Sequence, residues 1–322
     1  PMNLPSEFIH NIEGTFGEAG KQFLANLPAS IEEASQRWGL TDIQPIPTLS
    51  YNFAAFARRG DEQVVLKLGV PDRELKSEMA ALRLFNGEGA CRLIDYDEEK
   101  CWLLLERLNP GVMLLTLKDD EEATHIAADV ALKIWKPLES ASLLANSYEK
   151  TQPQKQASGL QRFIRLSDWF NGLQRLRAKF NGGTGPFNEK LVERVEHSVK
   201  DFFAENHKPM LMHGDFHHYN ILSSGRGWLV IDPKGVIGPA CYEVGPFLLN
   251  PWGELLKLDH HRRMTKRRID ILHEHLGFER DRIREWGLAH AILSSWWSME
   301  SHSDWRYASA FAEVLAGLSI VP

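Results

Sequence analysis

The sequence predicts an α+β fold with two lobes, a small β-rich amino-terminal lobe and a mainly helical carboxy-terminal lobe. Two observations support this prediction. Short apolar runs separated by turn residues occupy residues 44–106, whereas apolar residues recur at helical spacing from residue 121 onward. A chain of 322 residues with 43% hydrophobic residues is long enough to give both lobes a core. We expect residues 1–108 to hold amino-terminal helices and the small lobe, and residues 109–322 to form the helical lobe.

The small lobe is expected to begin with helices and to continue with five strands and one further helix. The first forty residues read as helical, because residues 30–33 match a capping box and Gly39 is a natural stop. Three strands follow, then a helix with apolar residues at helical spacing, then two strands joined by an acidic turn. The predicted bounds are 44–49, 52–58 and 62–68 for the first three strands, 72–86 for the helix, and 91–96 and 101–106 for the last two strands.

The larger lobe is expected to follow an N-P-G sequence at residues 109–111, which punctuates the chain where a linker between lobes would fall. Residues 151–159 and 181–186 read as loops, the first of them polar and rich in glutamine. Helices are predicted at residues 121–135, 166–180, 188–205, 260–276, 280–301 and 305–318.

Composition excludes several classes of function. A net charge of −6 argues against broad binding to nucleic-acid phosphates and mildly favours a cationic ligand. No run of about 18 apolar residues or basic-then-apolar leader is visible, so we expect no membrane span and a cytoplasmic protein. Of the three cysteines, Cys91 and Cys101 flank a predicted hairpin and could face each other, but thiols are expected for these and for Cys241. No protein partner is implied.

Residues 213–221, H-G-D-F-H-H-Y-N-I, carry the strongest functional signal. Asp215 and Asn220 are five positions apart, the spacing H-x-D-x-x-x-x-N of a phosphoryl-transfer loop, and Asp232 follows at the end of an apolar strand. Phosphoryl transfer needs a carboxylate that orients an acceptor hydroxyl and takes its proton, and oxygen ligands that hold Mg²⁺ against ATP phosphates. Each residue alone is a common turn former or cap, but the joint spacing predicts a phosphotransferase.

Lys67 lies in the apolar run V-V-L-K-L, where a charged lysine is costly unless it is paired. An acidic residue on the following helix can pair with it while the ammonium reaches ATP phosphates. Glu78 is preferred over Glu74 for this pairing, because the small residues that follow Glu78 let the helix approach the sheet. The alternative is that Lys67 faces solvent on a half-exposed strand.

Two further segments are candidates for nucleotide contact. Residues 103–108 would link the lobes and recognise adenine through the peptide units of Glu106 and Leu108, although a plain buried strand fits the same letters. Ser50 and Asn52 lie in the turn between the first two strands and are candidates for contact with phosphate.

Taken together, these segments resemble the aminoglycoside phosphotransferase family, over roughly residues 20–318. The I-D-P-K-G sequence at residues 231–235 is similar to the streptomycin 6-kinase and hydroxyurea-resistance branch. The order of predicted elements is also that of a bilobal protein-kinase-like fold. The other segments that carry the resemblance are V-L-K-L at 65–68, E-x-x-A-L at 78–82, L-L-E-R-L-x-x-G at 104–111, A-C-Y-E-V-G-P at 240–246 and A-I-L-S-S-W-W-S at 291–298.

The resemblance implies ATP with Mg²⁺ as the phosphoryl donor and a small-molecule hydroxyl as the acceptor. His213 would support the loop backbone, and Lys234 would either reach phosphate oxygens or be an exposed turn residue. The remaining roles that it implies are catalytic base for Asp215, magnesium ligands for Asn220 and Asp232, phosphate-binding lysine for Lys67 and its partner for Glu78.

This chain departs from the family pattern in three places, one of which is the long segment from Met2 to Ser35, expected to add helices against the small lobe. Residues 50–53 contain no glycine, although a nucleotide-covering loop is expected there. Glu243 stands where many relatives carry an aspartate that braces the catalytic loop, and its extra methylene leaves that bracing uncertain.

A cationic acceptor would need acidic and aromatic side chains near Asp215. His217 and His218 could touch the acceptor or act as caps. The carboxy-terminal helices also offer candidates, which could equally be solvated helix faces and packed core: Glu254, Glu285, Glu300, Asp304, Trp252, Trp296, Trp297 and Trp305.

These observations lead to one hypothesis with two rivals. The hypothesis is an ATP- and Mg²⁺-dependent O-phosphotransferase that acts on an aminoglycoside such as streptomycin and so confers antibiotic resistance. The first rival is a kinase of the same fold for hydroxyurea, an amino alcohol or a metabolic sugar. The second is an inactive nucleotide-binding regulator, which would usually lack one of the five polar site residues.

Overall fold

The computed structural model describes residues 4–137, 162–205 and 208–319, so the predicted loop at 151–159 lies outside the described residues. The small lobe is built on a five-stranded antiparallel sheet with the strand order β1-β2-β3-β5-β4. Its elements are α1 (Ser6–Trp38), β1 (Leu40–Pro45), β2 (Phe53–Arg59), β3 (Glu62–Leu68), α2 (Arg73–Phe85), β4 (Leu93–Asp97) and β5 (Trp102–Glu106).

Helix α1 covers one face of this sheet and ends at Gly39, whose φ of 63° is left-handed. The predicted capping box is wrong, because Ser30 lies inside α1, where buried Ile31 and Ala34 continue the apolar stripe. The predicted first strand is also displaced. Strand β1 begins directly after Gly39 and ends at Pro45, since proline has no amide to continue a ladder.

The opposite face of the sheet packs on α2 and on the helical lobe. Strand β5 shows this division, because Trp102 and Leu104 belong to the core beneath α1 whereas Leu103 and Leu105 belong to the core of the helical lobe. Helix α2 is capped by the Asp72 side chain, which accepts a hydrogen bond from the Leu75 N–H at 2.8 Å. The two lobes therefore share one continuous apolar core through α2.

The helical lobe surrounds the buried helix α8 and carries short strands that shape the loops. These strands form two small sheets with the orders β11-β10-β6 and β7-β9-β12-β8. The elements are β6 (Pro110–Met113), α3 (Asp120–Ile134), β7 (Lys136–Pro137), β8 (Ile164–Arg165), α4 (Leu166–Lys179), α5 (Glu189–Ala204), β9 (Met210–Met212), β10 (Ile221–Ser224), β11 (Gly227–Val230), β12 (Val236–Gly238), α6 (Val244–Leu249), α7 (His261–Leu276), α8 (Arg280–Glu300) and α9 (Arg306–Ala316).

The bilobal α+β architecture and the six predicted helices of the larger lobe are confirmed. Strand β6, which follows a cis Asn109–Pro110 peptide, was not expected at the predicted linker. The division at residues 108 and 109 remains a prediction. Cys91, Cys101 and Cys241 are buried free thiols. Within the described ranges, no helix is both long enough and apolar enough to cross a membrane.

Candidate functional site

The H-G-D segment lies between β9 and β10, and His213 holds its backbone from inside the protein. The His213 side chain is buried, and its Nε2 lies 2.8 Å from the Ile231 carbonyl oxygen, which can only accept. Its Nδ1 therefore accepts from the Asp215 N–H at 3.1 Å. Burial lowers the pKa of His213 to about 4, so the ring is neutral near pH 7.

Glu243 forms the brace that the sequence left uncertain. Its two carboxylate oxygens accept from the His213 N–H at 2.7 Å and from the Gly214 N–H at 2.8 Å. Burial raises the pKa of Glu243 to about 7, although both hydrogen bonds favour the ionised form. Gly214 is required at this turn, because its φ is 89° and a Cβ there would lie 2.4 Å from Val236 Cγ2.

The Asp215 side chain is 42% exposed, and His217 contacts and orients its carboxylate. The Nδ1 of His217 accepts from the Tyr219 N–H at 3.3 Å, so the proton is on Nε2, which lies 3.3 Å from Asp215 Oδ1. Burial favours the neutral acid, but His217 and Lys234 outweigh it and hold the pKa of Asp215 well below its ordinary value. Asp215 is therefore an ionised proton acceptor, and His217 contacts it directly.

Asn220 and Asp232 are brought to the same side of the loop. The Asn220 Nδ2 donates to the Asp215 carbonyl oxygen at 3.0 Å, which leaves Oδ1 free of that contact. The Ile231 N–H donates to the Asn220 carbonyl oxygen at 3.0 Å and draws the Asp232 segment alongside. Half of the Asp232 side chain is exposed. An amide oxygen and a carboxylate fit Mg²⁺, which takes few protein ligands when nucleotide phosphates supply others.

Lys67 is 5% exposed and joins the two lobes electrostatically. Its Nζ lies 2.7 Å from both carboxylate oxygens of Glu78 and 3.2 Å from Asp232 Oδ1. Burial disfavours the ammonium, but Asp232 and Glu78 outweigh it and raise the pKa of Lys67 above its ordinary value. The lysine is therefore charged, and Glu78 is its partner on α2.

Glu74, the competing candidate, pairs with Lys234 instead, at 3.1 Å between Oε2 and Nζ. The Lys234 N–H donates to the His213 carbonyl oxygen at 2.7 Å, so this residue joins α2 to the H-G-D turn. Burial opposes the charge of Lys234, but Glu74 and Asp215 raise its pKa. A second contact reinforces this connection, since Ser77 Oγ donates to the Gly235 carbonyl oxygen at 2.8 Å.

The segments predicted to contact the nucleotide lie at the ends of strands of the small-lobe sheet. The Glu106 N–H is taken, because it donates to the Arg92 carbonyl oxygen at 2.9 Å. Ser50 is exposed in the β1–β2 turn. Asn52 lies against the chain just after β3, since a Cβ on Gly69 would be 2.2 Å from Asn52 Oδ1. The turn therefore approaches the end of the strand that carries Lys67.

The acidic residues considered for the acceptor are not free carboxylates. Each is ion-paired with a basic side chain, and their part in an acceptor site stays a prediction. Trp296 is buried, and Trp305 packs edge-on against Phe187 at 5.1 Å between ring centroids. The ion pairs are Glu254–Lys257, Glu285–Arg194, Glu300–Arg175 and Asp304–Arg306.

Two half-buried tryptophans, Trp169 and Trp297, pack on each other near the H-G-D turn, and we call them the aromatic wall. Their ring centroids are 5.4 Å apart and nearly perpendicular, at 85°. A Cβ on Gly214 would lie 3.1 Å from Trp169 Cη2, which puts Trp169 next to Asp215 in space. Trp169 was missed in the sequence, because a tryptophan at helical spacing cannot be told from a core residue.

A buried hydrogen-bonded chain lies behind the aromatic wall. The His290 Nδ1 lies 2.9 Å from the Tyr242 hydroxyl, and its Nε2 lies 3.2 Å from Ser294 Oγ. Burial lowers the pKa of His290 to about 4, and Asp215 is among the charges that act on it. His290, Ser294 and Trp297 thus form one face of α8, directed toward the catalytic loop.

The sequence pattern of one family, described as aminoglycoside/hydroxyurea antibiotic resistance kinase, matches residues 37–301. Among named relatives, streptomycin 6-kinase of Streptomyces glaucescens is 28% identical, covering 94% of this chain and 92% of that protein. Hydroxyurea phosphotransferase of Kitasatospora aureofaciens is 27% identical, covering 98% of this chain and 86% of that protein.

Solved structures share the fold at low sequence identity. A thermostable mutant of aminoglycoside phosphotransferase APH(4)-Ia, in a ternary complex with ADP and hygromycin B, superposes with a TM-score of 0.57 at 14% identity, covering 90% of this chain and 99% of that one. A choline/ethanolamine kinase family protein from Mesorhizobium loti gives a TM-score of 0.58 at 12% identity, covering 89% of this chain and 95% of that one. The architecture is therefore the protein-kinase-like fold.

Proposed function

Because the chain belongs to the aminoglycoside/hydroxyurea antibiotic resistance kinase family, we propose that it transfers the γ-phosphoryl group of ATP to a hydroxyl of a small molecule. The observation that carries this proposal is the Asp215 carboxylate. It is ionised, 42% exposed and contacted by His217, and it interacts electrostatically with Lys234, which also acts on Lys67 and Asp232. A base beside a phosphate-binding charge cluster is what phosphoryl transfer requires.

In the proposed reaction, the acceptor oxygen forms a bond to the γ-phosphorus while the bond to the β,γ-bridging oxygen breaks and ADP departs. Asp215 orients the acceptor hydroxyl and takes its proton. Lys67, held by Glu78, neutralises phosphate charge from the small lobe. Asn220 and Asp232 would hold Mg²⁺, which supplies charge neutralisation between the phosphates when it is bound. Lys234, whose side chain is 38% exposed, would add positive charge near the transferred group.

For the acceptor we propose an aminoglycoside such as streptomycin, with resistance as the outcome. The named streptomycin 6-kinase relatives support this choice. The aromatic wall also supports it, because tryptophan is the side chain that best binds a guanidinium or ammonium group through its face. Hydroxyurea is the second candidate, since a hydroxyurea phosphotransferase is similar over 98% of this chain. An amino alcohol or a sugar remains a test case within the same chemistry.

A coupled assay of ADP release with Mg-ATP tests the proposal across streptomycin, other aminoglycosides, hydroxyurea and amino alcohols. We expect turnover with streptomycin that disappears in Asp215→Asn. Turnover only with another acceptor would support the kinase assignment but change the proposed acceptor. Absence of acceptor-dependent and acceptor-independent ATP turnover would favour the inactive regulator.

A further inference from the structure

Arg226, in the turn between β10 and β11, ties three distant segments together. Its Nε and Nη2 lie 3.2 and 2.5 Å from the two carboxylate oxygens of Glu106, at the end of β5. Its Nη1 donates to the Gly87 carbonyl oxygen at 2.7 Å and its Nη2 to the Ala90 carbonyl oxygen at 3.4 Å. We call these contacts the Arg226 latch. Its planar fork is what allows one side chain to serve a carboxylate and two carbonyls.

Backbone hydrogen bonds next to the Arg226 latch join the same segments. The Val230 N–H donates to the Gly89 carbonyl oxygen at 2.8 Å, and the Cys91 N–H donates to the Val230 carbonyl oxygen at 2.9 Å. The Glu106 carboxylate also accepts from the Arg92 N–H at 3.0 Å. Strand β11, the α2–β4 loop and the end of β5 are therefore fastened to one another.

Each fastened segment leads to a group of the proposed nucleotide site. The α2–β4 loop follows the helix that carries Glu78, strand β11 runs into Asp232, and β5 ends at the linker of residues 106–108. These groups come from both lobes, so their spacing depends on contacts between the lobes. Positioning errors of about an ångström are costly in phosphoryl transfer.

We propose that Arg226 is a positioning residue for nucleotide binding, which sets the spacing between the adenine-binding linker and the Lys67–Glu78–Asp232 cluster. The inference rests on the proposed function, since it concerns the nucleotide of that reaction. Arg226 acts through Glu106 and the α2–β4 loop, with its donors directed at these partners. A cavity of about 350 Å³, lined in part by Arg226, Gly87 and Gly89, lies beside the latch. Water can therefore reach the ion pair, so alignment rather than stability is its main effect.

The test compares two arginines that make similar contacts. Arg175 also binds a carboxylate with its fork, at 2.7 and 2.9 Å from the oxygens of Glu300, and joins α4 to α8 away from the nucleotide elements. Binding of Mg-ATP, measured by calorimetry without acceptor, should weaken about tenfold in Arg226→Met and less than about twofold in Arg175→Met. Thermal unfolding should shift similarly in both variants.

Two further variants keep the test decisive. Arg226→Lys retains charge without the fork, so its nucleotide affinity should fall between wild type and Arg226→Met. Adding Glu106→Gln to Arg226→Met should weaken binding little further, because the two residues act as one unit. Equal nucleotide affinity in Arg226→Met and Arg175→Met would overturn the proposed positioning role of Arg226. A wild-type protein that binds no Mg-ATP would overturn the proposed function and the latch with it, whereas the identity of the acceptor does not enter the measurement.

Discussion

The residues on the two sides of the Asp215 carboxylate differ in chemical character. On the proposed nucleotide side, charged residues are paired with one another across elements, as in the contact of Lys67 with Glu78 and Asp232. On the proposed acceptor side, the aromatic wall lies beside the loop, and Glu285 and Glu300 of α8 are ion-paired with arginines. The first side presents ion-paired charged groups, and the second presents an apolar surface with a few polar groups.

This difference matches what each side would recognise in the proposed reaction. A triphosphate carries the same charges in every turnover, so fixed counter-charges can be preorganised for it at no cost during the reaction. A small organic acceptor presents rings and scattered polar groups, which are recognised by shape, aromatic faces and a few hydrogen bonds. Substitutions on the two sides should therefore separate nucleotide effects from acceptor effects.

The largest effect on activity is expected at Asp215 itself, which lies between the two sides. Asp215→Asn removes the proton acceptor but keeps the shape, so kcat should fall by about 10³-fold or more while the Kd of Mg-ATP changes less than about twofold. The coupled assay and calorimetry measure the two quantities. Asp168→Asn, another partly exposed aspartate, is the matched control. Strong loss of nucleotide binding in Asp215→Asn would contradict the assigned role.

The next effect lies on the nucleotide side. Lys67→Met should reduce kcat/KM for ATP by roughly 10²–10³-fold and destabilise the protein by about 3–5 kcal/mol, because Glu78 is left buried without its partner. The double variant Lys67→Met/Glu78→Leu should recover much of that stability but none of the activity. Chemical denaturation and the coupled assay follow the two properties. Recovery of both together would show that the pair is only structural.

A smaller effect is expected at the brace behind the loop. Glu243→Gln keeps one acceptor but turns an amide N–H₂ toward a backbone N–H, so kcat should fall about 10- to 100-fold. The pKa of Glu243 in the folded protein is about 7, above its ordinary value of 4.5. In that window the folded protein binds more protons than the unfolded chain, so this residue's contribution to stability declines as pH rises from 4.5 to about 7.

Denaturation of wild type and Glu243→Gln at several pH values isolates this contribution, because other titrating groups cancel in the difference. The free energy of unfolding of wild type relative to the variant should drop by on the order of 3 kcal/mol between pH 4.5 and pH 7. A difference that stays constant with pH would mean that Glu243 keeps an ordinary pKa.

The smallest effect is expected on the acceptor side. Trp297→Leu should raise the KM for the acceptor about tenfold, with the Kd of Mg-ATP unchanged, because it removes one ring of the aromatic wall. Trp252→Leu is the control, since Trp252 is partly exposed and packs on Tyr307 instead. If the two variants have the same acceptor KM, the wall does not bind the acceptor.

Much of the nucleotide side could be predicted from the sequence, because its residues lie in short motifs with fixed spacing. Lys67 was recognisable as a charge in an apolar strand, and Glu78 as its partner one helix later. Helices were found within one or two residues where caps such as Asp72 and Asn188 mark their starts. The capping box predicted at Ser30 was wrong, because residues that commonly begin a helix also occur inside a long helix.

The sequence by itself determined the lobes, the family and the charged residues around Asp215, because local spacing encodes which groups a loop, a strand and a helix present. Only the tertiary structure decided that Glu74 pairs with Lys234, that Glu243 reaches two amides, and that Arg226 fastens the linker. It also decided that Trp169 stands beside the loop. These contacts join residues 29 to 160 positions apart, and such pairings depend on how whole elements pack, which no local pattern records.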